Sequence, residues 1–466
     1  MNKYKNFIIN NYIYIVAIYL TLFFLLRILT SGSFERDESA QYILEGVYKW
    51  GYNTQPPLYT WVQNLFFKIF NNPFVALSLF KNMLIFFIYY LTYKITYILS
   101  NNKILSAIAT SSLIFIPPFS WEFERDLTHS VIVTFSTMLL LYFIITLTNK
   151  KKIKTFDYIL LGSIVSIGIL SKYNFILFII VLLIMSFVNQ QIKHIVFNKK
   201  ILISITVSII LLSPHIYWVL NHFNVATSGS IKKMDISNSY NIFVSLKVLF
   251  MALAELIAPY IILFILFFKK FNFKKQKFFK DYFLILIFIL IAIVVIFKIQ
   301  YFKSRWVVPL FLPIVIYMTL SIKNLQIIIA KWWLNLSILI MIGFLISFTA
   351  RYKFPDLVSK EPSRFNYPAK KIYNYLKTNH IQYNKVLIAD SLMGANIKYY
   401  NQKANYYFIN DKIFNKFKGQ KDTLIIFDND SLWLLNWLNK KGIKVKYVKL
   451  KYKNSKRFYI FYFTVI

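Results

Sequence analysis

The run from Phe7 to Leu29 constrains this chain more than any other feature, because it is apolar except for Asn10, Asn11, a few hydroxyls and the terminal Arg27. At about 1.5 Å per residue, a helix of that length crosses about 30 Å of hydrocarbon. It is too long for a signal peptide and lacks a small-residue cleavage site, so it reads as a retained transmembrane helix. Further apolar runs fall near 75–99, 104–118, 131–148, 157–170, 175–188, 201–218, 246–268, 282–298, 307–322 and 333–350. Together they predict about eleven spans, several of them short enough to tilt or to extend into the interface. With 58% hydrophobic and 19% aromatic residues, the composition is that of a polytopic α-helical membrane protein. The chain has no cysteine, which excludes disulfides, thiolate nucleophiles and cysteine-based metal or cluster sites.

The formal net charge of +37 comes from 55 Lys and Arg against 18 Asp and Glu. Its distribution decides its meaning, since the basic residues sit mostly in short loops between apolar runs and report membrane topology, not a nucleic-acid partner. With the N-terminus in the cytoplasm, three basic loops all fall inside: Lys150 to Lys154, Lys193 with Lys199 and Lys200, and Lys269 to Lys280. This satisfies the positive-inside rule without adjustment. The same count places 31–74, 119–130, 171–174, 219–245, 299–306 and everything after Ala350 outside, as expected of a multi-pass protein of the cytoplasmic (inner) membrane.

The sequence divides on this reading into a membrane domain over 1–350, with its first extracytoplasmic loop at 31–74, and a soluble domain over 351–466. The tail has no spanning run. Lys385 to Asp390, Thr423 to Asp428 and Lys444 to Val448 read as strands, and 369–379 and 431–441 as helices, which predicts a small α/β domain. It contains no phosphate-binding glycine loop, and no chemistry is assigned to it.

Acidic residues are scarce and clustered. Of the eleven before Arg351, seven lie in two segments on the predicted outer face: Glu35, Asp37, Glu38 and Glu45 in the first, Glu122, Glu124 and Asp126 in the second. The second follows Pro117-Pro118, which stops a helix near the membrane boundary, so carboxylates from two loops can converge there. A plainer account pairs these acids locally, with Arg36 and Arg125 as partners. The first loop also carries Trp50-Gly51-Tyr52-Asn53-Thr54-Gln55-Pro56-Pro57-Leu58-Tyr59-Thr60-Trp61. Two prolines fix that backbone while Tyr and Trp rings sit at headgroup level, which suits a rigid interfacial loop holding a polar ligand; an aromatic belt with a turn would look similar.

The order Asp37-Glu38, an amphipathic stretch, Trp50-Gly51-Tyr52 and Gln55 to Trp61 resembles the first extracytoplasmic loop of bacterial GT-C glycosyltransferases. The resemblance is to the group spanning protein O-mannosyltransferases and the lipid A aminoarabinose and galacturonic acid transferases. It continues at Leu170 to Phe175, at Ser213-Pro214-His215-Ile216-Tyr217-Trp218 with Asn221-His222, and at Lys303 to Pro309. It implies inverting transfer of a sugar from a polyprenyl-phosphate donor to lipid A or another glycolipid at the outer face. In that family pattern Asp37 stands at the catalytic acid position, where it would orient or deprotonate the acceptor. Glu38 would orient Asp37 or bind acceptor, and Asp126, with Glu124 as rival, matches the second acidic position. Tyr52, Gln55, Pro56, Pro57 and Tyr59 form the substrate loop. Glu35 is expected to be an ordinary loop charge.

The leaving group on this reading is a lipid phosphate, so cations are needed at membrane depth. Lys172 stands between two apolar runs and Arg305 follows another, where an unpartnered charge costs up to about 2.5–3.5 kcal/mol at a helix centre. A phosphodiester would partner them; snorkelling to the interface is the alternative. Glu255 is the one acid deep inside an apparent span, either functional or hydrogen-bonded to a neighbouring helix. His129, His215 and His222 fall near the same face. Histidine plus carboxylate can hold a divalent metal, but no close i, i+4 pair with a third ligand exists. Gln55 also stands where some relatives place an acidic metal ligand, which counts against a metal; no cofactor is assigned, and a divalent metal stays open as an alternative. Three other functions compete: protein O-glycosylation within the same family, a transporter or flippase of lipid-linked sugars, and a non-catalytic scaffold. A flippase would place polar groups near the bilayer midplane on repeated, broken helices, and no repeat is visible.

Overall fold

The structure, a computed structural model, describes residues 2–227, 241–359, 364–420 and 422–466. Residues 228–240 of the outer loop expected at 219–245 lie outside the described residues. Among those described, seven helices are long and apolar enough to cross a membrane: Phe7–Thr30, Pro73–Ser100, His129–Thr148, Ile201–Asn221, Ile242–Phe268, Lys277–Ile296 and Ile327–Lys353. Two more spans are possible only if bent pairs count as one each, Lys103–Phe115 with Pro118–Arg125 at 75° and Phe175–Val188 with Gln190–Val196 at 113°. The runs at 157–170 and 307–322 become shorter apolar helices, Thr155–Ser171 and Val308–Leu320. Every predicted run is therefore helical, but the predicted count of eleven full spans is not reached.

Local chemistry explains the breaks. Pro117 and Pro118 interrupt the first bent pair, since proline offers no amide hydrogen to the helix ladder. In the second, Asn189 ends one helix and caps the next, its side chain accepting from the amides of Gln191 and Ile192.

The chain divides into two compact units, one of Met1–Thr21, Tyr48–Val62 and Phe80–Ile342, the other of Leu22–Val47, Gln63–Leu79 and Gly343–Ile466. In the first, helices Thr155–Ser171 and Ile201–Asn221 approach closely because Gly162 presents no side chain. A Cβ there would lie 2.4 Å from the Ser204 carbonyl oxygen. Ser204 Oγ donates to the Tyr158 carbonyl at 2.6 Å and Ser208 Oγ to that of Gly162 at 2.9 Å, the small-residue and hydroxyl packing typical of membrane helices.

The second unit holds a five-stranded mixed sheet in the order β2-β1-β3-β5-β4. Its strands are β1 (Lys385–Ile388), β2 (Asn405–Phe408), β3 (Thr423–Asp428), β4 (Lys446–Lys451) and β5 (Phe458–Val465). β1 pairs in parallel with β2 and β3, and β5 pairs antiparallel with β3 and β4. Helices Ala369–Thr378 and Ser391–Tyr400 cover one face and Asp411–Phe417 and Leu432–Lys440 the other, each over its own apolar cluster. The α/β expectation is thus met. The unit is nevertheless larger than the 351–466 segment foreseen, for a physical reason. Phe34, Tyr42, Phe67, Phe74, Ala76 and Leu77 from the first-loop region share a buried cluster with Ala395 of helix Ser391–Tyr400.

Candidate functional site

Within the second unit, residues 36–43 form a helix whose N-cap is Glu35, so Arg36, Asp37 and Glu38 are its first turn. Acidic side chains in that turn complement the helix dipole. Each charge takes a different partner. Glu38 is 2% exposed and receives Arg27 twice, from Nε to Oε1 at 3.2 Å and from Nη2 to Oε2 at 2.5 Å; its Oε2 also accepts the Glu35 amide at 3.0 Å. Arg27 donates further to the carbonyls of Ser31 and Ser33 and lies over the rings of Phe74 and Phe365. Glu35 is buried and pairs with Arg364 at 3.2 Å, so it is not the ordinary loop charge expected. Arg36 pairs with Asp430, and Glu45 with Lys398. Asp37 is half-buried, between two carboxylates that arginines hold in place. Glu38 is an anchor of the turn, both of its oxygens accepting hydrogen bonds.

In the first unit the aromatic loop is rigid. Tyr52 and Gln55 exchange backbone hydrogen bonds at 3.0 and 2.9 Å around an Asn53-Thr54 turn, with Asn53 at φ +50°. Asparagine tolerates that left-handed conformation better than most residues. The Tyr52 hydroxyl accepts the Lys49 amide, and burial raises its pKa. Buried Pro56 and Pro57 lead into helix Leu58–Ile69, Pro57 offering its carbonyl to the Trp61 amide. Gly51 makes room for a neighbouring ring: a Cβ there would sit 2.2 Å from Trp218. His215 Nδ1 meets the Trp50 carbonyl at 2.5 Å, so that nitrogen carries the hydrogen. The rings of Tyr173, His215, Trp218 and His222 form a stacked series, with centroids 5.8, 6.1 and 4.9 Å apart. Burial pushes the Tyr173 hydroxyl up to about 12. The motifs at 50–61, 170–175 and 213–222, far apart in sequence, thus assemble on one another. Tyr59 is fully buried, its ring 5.4 Å from that of His129, whereas His222 is exposed.

The two cationic turns are neighbours as well. Asn174 donates to the Trp306 carbonyl at 2.8 Å, bringing the Lys172 segment beside the short turn Ser304–Trp306 that carries Arg305. Lys172 donates to Ser130 Oγ at 2.9 Å; both cations are partly exposed. Of the second acidic segment, Glu124 is buried and accepts the Tyr19 hydroxyl at 2.7 Å, while Asp126 is buried where helix Phe123–Arg125 ends. Glu255 is exposed on helix Ile242–Phe268 and makes no hydrogen bond or ion pair among the described residues, so neither of its expected roles gains support. No three His, Asp or Glu side chains among the described residues gather into a metal-binding group. Arg27, Arg364, Asn396, Ser130 and Asn174 were not singled out in the sequence; the last four have partners in distant segments, whereas Arg27 meets Glu38 from only 11 residues away, across the end of its own helix.

With its array of apolar helices, two bent helix pairs and a small mixed-sheet unit, the chain resembles the GT-C membrane glycosyltransferases, in the branch that includes protein mannosyltransferases and lipid A modifying transferases. The family described as dolichyl-phosphate-mannose-protein mannosyltransferase matches residues 54–218. The lipopolysaccharide core galacturonosyltransferase RgtB of Rhizobium johnstonii is 33% identical over 243 residues, covering 52% of this chain and 49% of that protein. RgtA of the same organism, with the same description, is 30% identical over 220 residues, covering 47% and 44%. The chain therefore spans about half the length of these curated relatives. Among solved structures, ArnT from Cupriavidus metallidurans superposes with a TM-score of 0.64 at 13% identity, covering 96% of this chain and 97% of ArnT. Its complex with undecaprenyl phosphate gives 0.60 at 12% identity with the same coverage. At such identities the structures establish the shared fold alone.

Proposed function

We propose that this chain is an inverting membrane glycosyltransferase that moves a sugar from a polyprenyl phosphate, undecaprenyl phosphate in a bacterium, to a glycolipid acceptor of the lipid A or lipopolysaccharide core type at the outer face of the cytoplasmic membrane. The observation that carries this reading is the first turn of helix 36–43, where Glu35 and Glu38 are held by Arg364 and Arg27 and Asp37 is the half-buried acid between them. Names of relatives support the acceptor class, and the bound lipid of an ArnT structure supports the donor.

The acceptor hydroxyl attacks the anomeric carbon from the face opposite the phosphate. A bond forms from acceptor oxygen to C1, the C1–O bond to phosphate breaks, and its electron pair leaves with the polyprenyl phosphate. Asp37 takes the acceptor proton, a role that requires an ionised carboxylate within hydrogen-bond reach and typically contributes about 10²- to 10⁴-fold. Lys172 and Arg305, from adjacent turns, meet the charge on the departing phosphate. Asp126 binds acceptor; Glu124, held by Tyr19, is the weaker claimant. The donor sugar class supported by the relatives is a uronic acid. No step is assigned to a metal.

The test compares mass spectra of envelope glycolipids and glycoproteins from cells with the chain, without it, and with Lys172→Met. Loss of one sugar from a glycolipid in both altered strains is expected. Loss from a protein instead replaces the acceptor class, and unchanged spectra in the strain lacking the chain overturn the proposal. Depletion of outer-leaflet donor lipid with transfer intact in detergent would indicate flipping.

A further inference from the structure

The sheet-bearing unit has a place in this reaction that the sequence did not suggest. Helix Arg36–Ile43 has eight residues, too few to be stable alone, so its direction must come from what it packs against. It packs along helix Ser391–Tyr400, which is N-capped by Asp390, two residues after β1 ends. The approach depends on small residues: a Cβ on Gly394 would lie 2.3 Å from Ile388 Cδ1 and 3.2 Å from Ile43 Cδ1, and Ala395 is wholly buried among first-loop aromatics.

Polar anchors then fix the register. Asn396 is fully buried; its Oδ1 accepts the Phe34 amide at 3.1 Å and its Nδ2 donates to the Leu392 carbonyl at 2.8 Å. A backbone amide can only donate and a carbonyl can only accept, so the side-chain amide has one orientation. Ser31 Oγ donates to the Phe365 carbonyl at 2.8 Å and Ser33 Oγ to that of Tyr367 at 2.9 Å, lining up the segment before the helix with 365–367. Arg364 holds the N-cap Glu35 at 3.2 Å. At the other end Lys398 donates to the Tyr42 carbonyl at 2.9 Å and pairs with Glu45 at 3.2 Å. Asp37 is thus bracketed by anchors, and those at Phe34, Glu35, Tyr42 and Glu45 all come from beyond residue 363. Packing alone would not need this many buried or part-buried polar pairs, each of which must offset its desolvation. A catalytic group, by contrast, must be held within about 0.5 Å of its working position.

We propose that the C-terminal α/β segment is the positioning element of the transferase, with Asn396 and Arg364 as positioning residues for Asp37. This rests on the reading of Asp37 as the base. The experiment uses the full-length chain as the only copy in cells and reads the fraction of envelope glycolipid modified per folded protein. Binding of undecaprenyl phosphate to the purified chain is measured in parallel. Asn396→Ala and Arg364→Ala are expected to slow transfer about tenfold, with lipid binding unchanged within about twofold, and Arg364→Lys to recover most of the rate. Phe414→Leu, in the cluster on the opposite face of the sheet, controls for general destabilisation and should leave the rate per folded molecule unaltered. If Asn396→Ala does not fold, the Arg364 pair decides. Full-rate transfer by Asn396→Ala or Arg364→Ala, or lipid binding lost in step with transfer, overturns the inference. Asp37→Asn is run alongside: if it is inactive while the positioning variants are normal, this inference alone fails. If it transfers normally, the base assignment fails and takes the inference with it.

Discussion

The buried Arg27–Glu38 pair gives the sharpest energetic prediction, because it sets the geometry of the turn that carries Asp37. Its side chains are 3% and 2% exposed, and the two hydrogen bonds between them are joined by donations from Arg27 to two carbonyls and by the Glu35 amide on Glu38. Removing one partner takes away the charged hydrogen bonds that offset the burial of the other, which costs about 3–5 kcal/mol. Arg27→Met and Glu38→Gln should each destabilise by about that amount. The double variant removes both charges and should cost less than the sum of the singles, with a coupling of about 2 kcal/mol or more. A cycle pairing Arg27→Met with Asp37→Asn should show coupling below about 0.5 kcal/mol, since Glu38 is the partner of Arg27. Pulse proteolysis of the detergent-solubilised chain across a denaturant series measures all of these populations. Additive singles, each within about 0.5 kcal/mol of wild type, would refute the argument that Glu38 is an anchor.

Gly51→Ala should displace the Trp218 ring and cost about 1–3 kcal/mol of overpacking, visible as a lowered melting midpoint, while Asn53→Gly two residues on should be close to neutral. Lys172→Met should weaken binding of undecaprenyl phosphate about ten- to a hundredfold, the worth of one charged hydrogen bond, and Lys172→Arg should retain part of the affinity; titration of the purified chain reads both. Burial pushes the Asp428 carboxyl, which receives the Tyr459 hydroxyl, up to about 6 from its ordinary 3.8. Its folded pKa is raised, so its contribution is fully present below about pH 4 and is lost as pH rises through about 6, amounting to about 2–3 kcal/mol. Hydrogen exchange of β3 amides should therefore be slower at low pH than the intrinsic rate alone requires, and Asp428→Asn should remove that extra dependence.

Local signals were legible in the sequence. Hydropathy located every apolar helix, since a spanning segment is defined by its own side chains, but it could not show that Pro117-Pro118 and Asn189 bend two of them. The strands β1, β3 and part of β4 were readable from β-branched runs between polar turns. β2, whose four residues Asn405–Phe408 carry no buried alternation, and β5, an aromatic run with little polar contrast, were not. The aromatic loop was readable as a rigid element, whereas its dock on Trp218 and His215 depends on a contact across more than 150 positions. The acidic turn shows the same limit. Composition singled out Glu35, Asp37 and Glu38 together, but their separation into two anchors and one half-buried acid requires Arg27 and Arg364, and the latter lies over 300 residues away.

The central claim is that Asp37 takes the acceptor proton in sugar transfer from a polyprenyl phosphate. Its most direct measurement is the fraction of envelope glycolipid carrying the added sugar in cells whose only copy is Asp37→Asn, with membrane levels and melting midpoint matched to wild type. Loss of modification by about a hundredfold or more, with undecaprenyl phosphate binding retained, is the predicted result. Full modification at matched protein levels would contradict it.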